Sequence, residues 1–176
     1  GNHGVAFARG MEDGGVLSVM KHFPGHGSTT ADSHLELPVI NKSLQELKQY
    51  DFAPFQQYID AGLGGCLTAH LYIPAIDKRR VPGTMSKAYV TNLLQKKMHF
   101  NGLIFTDALG MEGAKEVKGS VCVNAFLAGN DILLMPNEVG PEIAAIKQAI
   151  AAGKIKQKDV DARVKKILRF KYALGL

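Results

Sequence analysis

Three short apolar runs in this chain end in side chains able to hold charge or move protons. Lys21 and His22 close the first, His70 closes the second and Asp107 closes the third. The loop after the first run adds His26, Asp32 and His34 within a stretch rich in glycine and proline. Asp32 and His34 are two positions apart, so in an extended loop their side chains point the same way. A carboxylate beside an imidazole accepts its proton, fixes its tautomer and raises its pKa. Such a pair is a general acid/base suited to near-neutral pH. Asp107 offers a separate carboxylate from another run. A carboxylate and a proton donor on opposite sides of one pocket are the minimum equipment for retaining glycoside cleavage. Each residue also has a plainer reading. Asp32 suits an Asx turn beside a loop histidine, and His70 suits a hydrogen-bonded residue at a strand end. The spacing of His22, His26 and His34 matches no strong zinc signature, so a metal site is not the expected reading.

The elements that must position these groups follow from periodicity. Near-continuous apolar runs over 16–21, 65–69, 102–106 and 131–135 read as buried strands, and Pro136 stops the last. Ser43 and Glu46 form a capping box, which opens a helix to about residue 61. Ser86 is a candidate N-cap for a helix through about residue 98. Further helices are expected over 120–128, 139–152 and 159–173, with another over 5–12 leading in. Strands alternating with helices predict an α/β fold with a parallel sheet. In such folds the C-terminal strand ends form the rim that carries active sites, and three of the four strands end in chemically able residues. Both a doubly wound sheet and part of a (β/α)8 barrel fit. No strand is followed by a glycine-rich nucleotide fingerprint.

Composition narrows the classes. With 176 residues and 46% hydrophobic content, one core is expected. A complete (β/α)8 barrel needs roughly 200 residues or more. No uninterrupted apolar run is long enough to span a membrane, and the sequence shows no targeting signal. The net charge is +5, concentrated at the C-terminal end, where residues 150–176 carry eight Lys/Arg against two Asp. That stretch lacks an RNA-binding pattern and reads as the solvated face of an amphipathic helix, so no nucleic-acid partner is expected. Cys66 and Cys122 lie in apolar surroundings without metal-ligand spacing and read as small buried hydrophobes.

Several segments resemble glycoside hydrolase family 3. They are Lys21-His-Phe-Pro-Gly-His-Gly27, Asp32-Ser-His34, Leu37-Pro38, Thr68-Ala-His70, Thr106-Asp-Ala-Leu-Gly-Met111 and Gly129-Asn-Asp-Ile-Leu-Leu-Met135. They occur in family order, and the Asp-Ser-His loop resembles the β-N-acetylglucosaminidase branch. The resemblance implies an exo-acting hydrolase of terminal β-linked N-acetylglucosamine, for instance in peptidoglycan fragments, on a (β/α)8 barrel. It implies that Asp107 is the nucleophile, that His34 is the acid/base paired with Asp32, and that Lys21 and His22 hold sugar hydroxyls. It implies no metal or organic cofactor.

The whole of 1–176 corresponds to a partial catalytic domain of about four βα units, the second half of the family barrel. The chain is therefore expected to hold the chemical groups but only part of the sugar-binding wall, and to be poorly active when isolated. Open sheet edges predict either self-association or a missing N-terminal barrel half. Phosphorolysis of N-acetylglucosaminides, another family 3 β-glycosidase activity and a non-catalytic sugar-binding module stand as alternatives. The compartment, bacterial cytoplasm or periplasm, is left open.

Overall fold

A computed structural model describes residues 1–29 and 36–176. The chain opens with α1 (Asn2–Asp13), followed by strand β1 (Val19–Phe23). Helix α2 (Leu44–Glu46) continues through a wide i→i+5 turn (Leu47–Asp51) into α3 (Ala53–Asp60). Strand β2 (Gly65–Thr68), a second wide-turn helix (Ala88–Lys97) and strand β3 (Leu103–Thr106) come next. The chain ends in α4 (Val121–Ala128), α5 (Val139–Ala151) and α6 (Gln157–Ala173). The strands form a parallel sheet in the order β1-β2-β3. This is the parallel α/β class that alternating apolar runs and amphipathic helices predict.

The differences from expectation have local causes. The first strand starts three residues later than the apolar run, because the Glu12 carboxylate takes the Ser18 N–H at 3.3 Å. Consequently Lys21 and His22 lie within β1, next to an irregularity in the pairing between Met20 and Phe23. The capping box at Ser43 and Glu46 forms as expected, but the helix it opens is broken into segments. Pro54 cannot donate a backbone bond, and just before it the Phe52 N–H reaches Leu47 O at 2.8 Å, five residues back.

The fourth expected strand runs beside β3 but pairs only at the Phe105–Ile132 bridge. Side chains take two of its flanking ladder positions, while beyond β3 the Leu109 and Gly110 N–H groups bond Leu134 O and Met135 O. The Ile104 N–H donates to Asp131 Oδ2 at 2.9 Å, and the Leu134 N–H donates to Thr106 Oγ1 at 2.8 Å.

The core lies between one sheet face and the helices. Cys66 and Ile104 pack there with Leu47, Tyr89, Val90 and Leu94, all almost wholly buried. Each such aliphatic side chain contributes about 1.5–3 kcal/mol relative to exposure. Leu67 and Phe105, paired in register, lie on the other face and are only half-buried. The N-terminal strand ends approach closely. A Cβ on Gly102 would stand 2.2 Å from Gly64 O, so only glycine fits. Helix α6 has no buried residue, and Val164, Leu168 and Tyr172 recur every four positions on an exposed face. Among the described residues no helix is long and apolar enough to cross a membrane.

Candidate active site

The carboxyl ends of the three strands converge on Asp107. Its backbone N–H donates to Thr68 O, at the end of β2, at 2.9 Å. Its Oδ1 accepts the Ala108 N–H at 2.9 Å. Its Oδ2 stands 3.9 Å from Nε2 of His22 on β1. That separation exceeds a hydrogen bond, and both side chains are partly open to solvent. One carboxylate oxygen is thus held by the backbone, while the other faces an imidazole across the rim.

His70, just beyond β2, is wholly buried. Its Nε2 lies 3.0 Å from Ala108 O. Burial lowers its pKa, against the opposing influences of the Ala108 hydrogen bond and the Asp107 charge. His70 therefore takes the structural place expected for a hydrogen-bonded rim residue.

The described residues before position 30 and after position 35 are tied to neighbouring segments. Gly25 has φ +132°, and a Cβ there would lie 2.9 Å from the Asp51 side chain. Asp51 accepts from Ser28 Oγ at 3.0 Å and from Lys42 Nζ at 2.7 Å, holding the first half of the loop. On the far side, Ile40 N–H bonds Tyr72 O and Tyr72 N–H bonds Pro38 O, both at 2.9 Å. His26 stands edge-on to His22, with ring centroids 5.8 Å apart. Asp32 and His34 lie outside the described residues.

Of the expected site residues, the structure brings His22 and Asp107 together. Lys21 is exposed and lines a cavity of about 360 Å³ between α1, β1 and α3. Among the described residues no group of three His, Cys, Asp or Glu is arranged to hold a metal ion.

Two supporting groups escaped the sequence reading. Thr68 supplies the carbonyl that anchors Asp107, and its hydroxyl lies 3.0 Å from Asn130 Oδ1. Asn130 is wholly buried and also donates to Thr84 O and Ala125 O, at 2.8 Å each. The available signal was a polar Gly-Asn-Asp sequence breaking two apolar stretches.

Over residues 1–170 the sequence matches the glycosyl hydrolase family 3 N terminal domain. The chain belongs to glycosyl hydrolase family 3.

Beta-hexosaminidase A of Pseudoalteromonas piscicida is 33% identical, over 97% of this chain and 32% of its own length. A beta-hexosaminidase of Haemophilus influenzae is 41% identical, over 78% of this chain and 39% of its own length. The structure of a glycoside hydrolase family 3 beta-N-acetylglucosaminidase from Paenibacillus sp. str. FPU-7 superposes with a TM-score of 0.93 at 31% identity. That match covers 97% of this chain and 34% of the other. The family 3 chain described here thus spans about a third to two fifths of the length of these relatives.

Proposed function

We propose that this chain carries the nucleophile-bearing part of a retaining β-N-acetylglucosaminidase, corresponding to the second half of a (β/α)8 barrel. Residues 1–176 are then one partial catalytic domain. The observation that carries this reading is the setting of Asp107 at the end of β3. Its Oδ1 is held by a backbone N–H, and its Oδ2 is turned towards His22. The names of the relatives support the substrate class.

In the proposed reaction, Asp107 Oδ2 attacks the anomeric carbon of a terminal β-linked N-acetylglucosamine and the bond to the leaving oxygen breaks. His34, oriented by Asp32, gives its proton to that oxygen. The same imidazole then takes a proton from water, which attacks the covalent intermediate and releases Asp107. His22, whose Nε2 stands 3.9 Å from Asp107 Oδ2, is assigned to a sugar hydroxyl beside the nucleophile, and Lys21 to a second hydroxyl.

Binding energy from the non-reacting parts of a substrate positions the bond to be broken. A chain spanning a third of its relatives' length lacks part of that wall, so slow turnover follows. On this reading the outer edge of β1 and the exposed apolar face of α6 are where the remainder of a barrel, or a second copy, would seat.

The test is hydrolysis of an aryl β-N-acetylglucosaminide by the chain and by Asp107→Ala. It is paired with a fluorinated N-acetylglucosaminyl fluoride as a trap, read by intact mass and peptide mapping. Slow turnover lost in the variant, with the label on Asp107, is expected. Turnover that survives Asp107→Ala, or a label on another residue, would refute the assignment.

A further inference from the structure

Among the described residues, His70 is the one wholly buried titratable side chain at the rim that the proposed chemistry does not use. Its surroundings define its protonation. The Ala108 carbonyl 3.0 Å from Nε2 has no proton to give, so Nε2 carries one. Burial disfavours the imidazolium, and the ring is neutral near pH 7. Nδ1 is then a bare acceptor. It is enclosed, and it has no hydrogen-bond partner among the described residues. An apolar side chain of similar volume would avoid that unpaired acceptor, so what distinguishes histidine here is the Nε2–H.

The residue that this N–H grips is held on both sides. The Ala108 carbonyl accepts from His70 and from the Met111 N–H at 3.1 Å, while the Ala108 N–H donates to Asp107 Oδ1 at 2.9 Å. The flanking amides are fixed by neighbouring segments: Asp107 N–H to Thr68 O, Leu109 N–H to Leu134 O and Gly110 N–H to Met135 O. His70 is thus the side chain that ties the end of β2 to the residue orienting the Asp107 carboxylate.

We infer that His70 is a positioning residue for Asp107. Its neutral Nε2–H clamps the Ala108 carbonyl, so that the Ala108 N–H holds Oδ1 and leaves Oδ2 free to attack. Because the donor is uncharged, it aligns the carboxylate without placing a cation beside it. The inference rests on the reading of Asp107 as nucleophile.

The test uses the ¹⁵N-labelled full chain. Long-range imidazole spectra are expected to show His70 with Nε2 protonated and Nδ1 bare between about pH 8 and pH 6.5. An Nδ1–H tautomer or an imidazolium at neutral pH would overturn the proposal, with no variant needed. The Ala108 amide should lie downfield, as expected of an N–H that donates to a carboxylate oxygen. His70→Gln, whose Nε2 can reach the same carbonyl, should keep that signature, whereas His70→Ala and His70→Asn should lose it. An unchanged Ala108 amide in a folded His70→Ala chain would sink the idea.

Trapping adds a second readout. The rate of labelling at Asp107 should fall about 100-fold in His70→Ala, as expected for a misplaced reacting group, and return in His70→Gln. If the parent chain takes no label at all, the glycosidase reading fails, while the amide and tautomer measurements still decide whether His70 sets the carboxylate.

Discussion

Replacing Asn130 by alanine tests the scaffold beneath Asp107. The Asn130 amide is wholly buried, and each polar group it carries is used. Its two protons go to Thr84 O and Ala125 O, and its oxygen accepts the Thr68 hydroxyl. Removal affects these partners unequally. Ala125 O retains the Gly129 N–H of the helix cap, and the Thr68 hydroxyl has Phe105 O at 3.2 Å as a second acceptor. Thr84 O loses its amide donor. A stranded buried carbonyl costs about 1–3 kcal/mol, and each of the two hydrogen bonds lost by groups with another partner about 0.5–1.5 kcal/mol, so the sum is about 2–6 kcal/mol with a centre of about 4.

For a chain of 176 residues that loss lowers Tm by about 10 °C. Urea unfolding followed by circular dichroism should show a lower midpoint with an unchanged slope. Thr68→Val should cost less, about 1–2 kcal/mol, and the double variant should fall short of additivity because the two side chains share a bond. A loss below about 1 kcal/mol for Asn130→Ala, or strict additivity with Thr68→Val, would refute the bond assignment.

Three further outcomes follow from the structure. Gly102→Ala forces a Cβ to within 2.2 Å of a backbone oxygen, so it should destabilise by about 1–3 kcal/mol in the same urea assay. Stability should fall with acid in two stages. Burial lowers the His70 pKa, so its contribution is complete above about pH 6.5 and is lost as pH falls through the lower folded value. Burial pushes the Asp77 carboxyl up, but hydrogen bonds from Arg79 and Ser86, with the Arg79 charge, outweigh it and hold the group below its ordinary range. That contribution is complete above about pH 4 and is lost below. Melting temperature against pH should therefore lose its upper stage in His70→Gln and keep its lower one. Finally, burial pushes the Cys66 thiol well above its ordinary range, and burial with the nearby Glu142 charge pushes Cys122 up to about 12. Both should resist a thiol reagent at about pH 8 until urea unfolds the chain, and rapid labelling of the folded protein would contradict their burial.

Much of the architecture was legible because it rests on short-range rules. Apolar runs of four or five residues ending at His70 and Asp107 marked β2 and β3, since buried parallel strands need no alternation. Ser43 and Glu46 announced their helix start, because capping is a contact between residues three apart. The convergence of His22 and Asp107 was foreseeable only in kind. Parallel strands carry their carboxyl ends to one rim, but periodicity holds no distance between them.

Other features depended on side chains that reach backbone groups outside their own element. The fourth strand was displaced from full pairing by the side chains of Asp131 and Thr106, which took ladder positions meant for backbone. The first strand was shortened by a carboxylate from α1. No local pattern announces that a side chain will take a backbone partner. The sequence by itself determined the order of strands and helices, the family and the residue types at the rim, because these depend on local periodicity and on motif order. The tertiary structure alone decided which oxygen of Asp107 is held, which nitrogen of His70 carries the proton, and that Asn130 ties β2 to α4. The last two depend on groups that folding brings to within about 3 Å across tens of residues, and the first on a neighbouring amide that such long-range contacts hold in place.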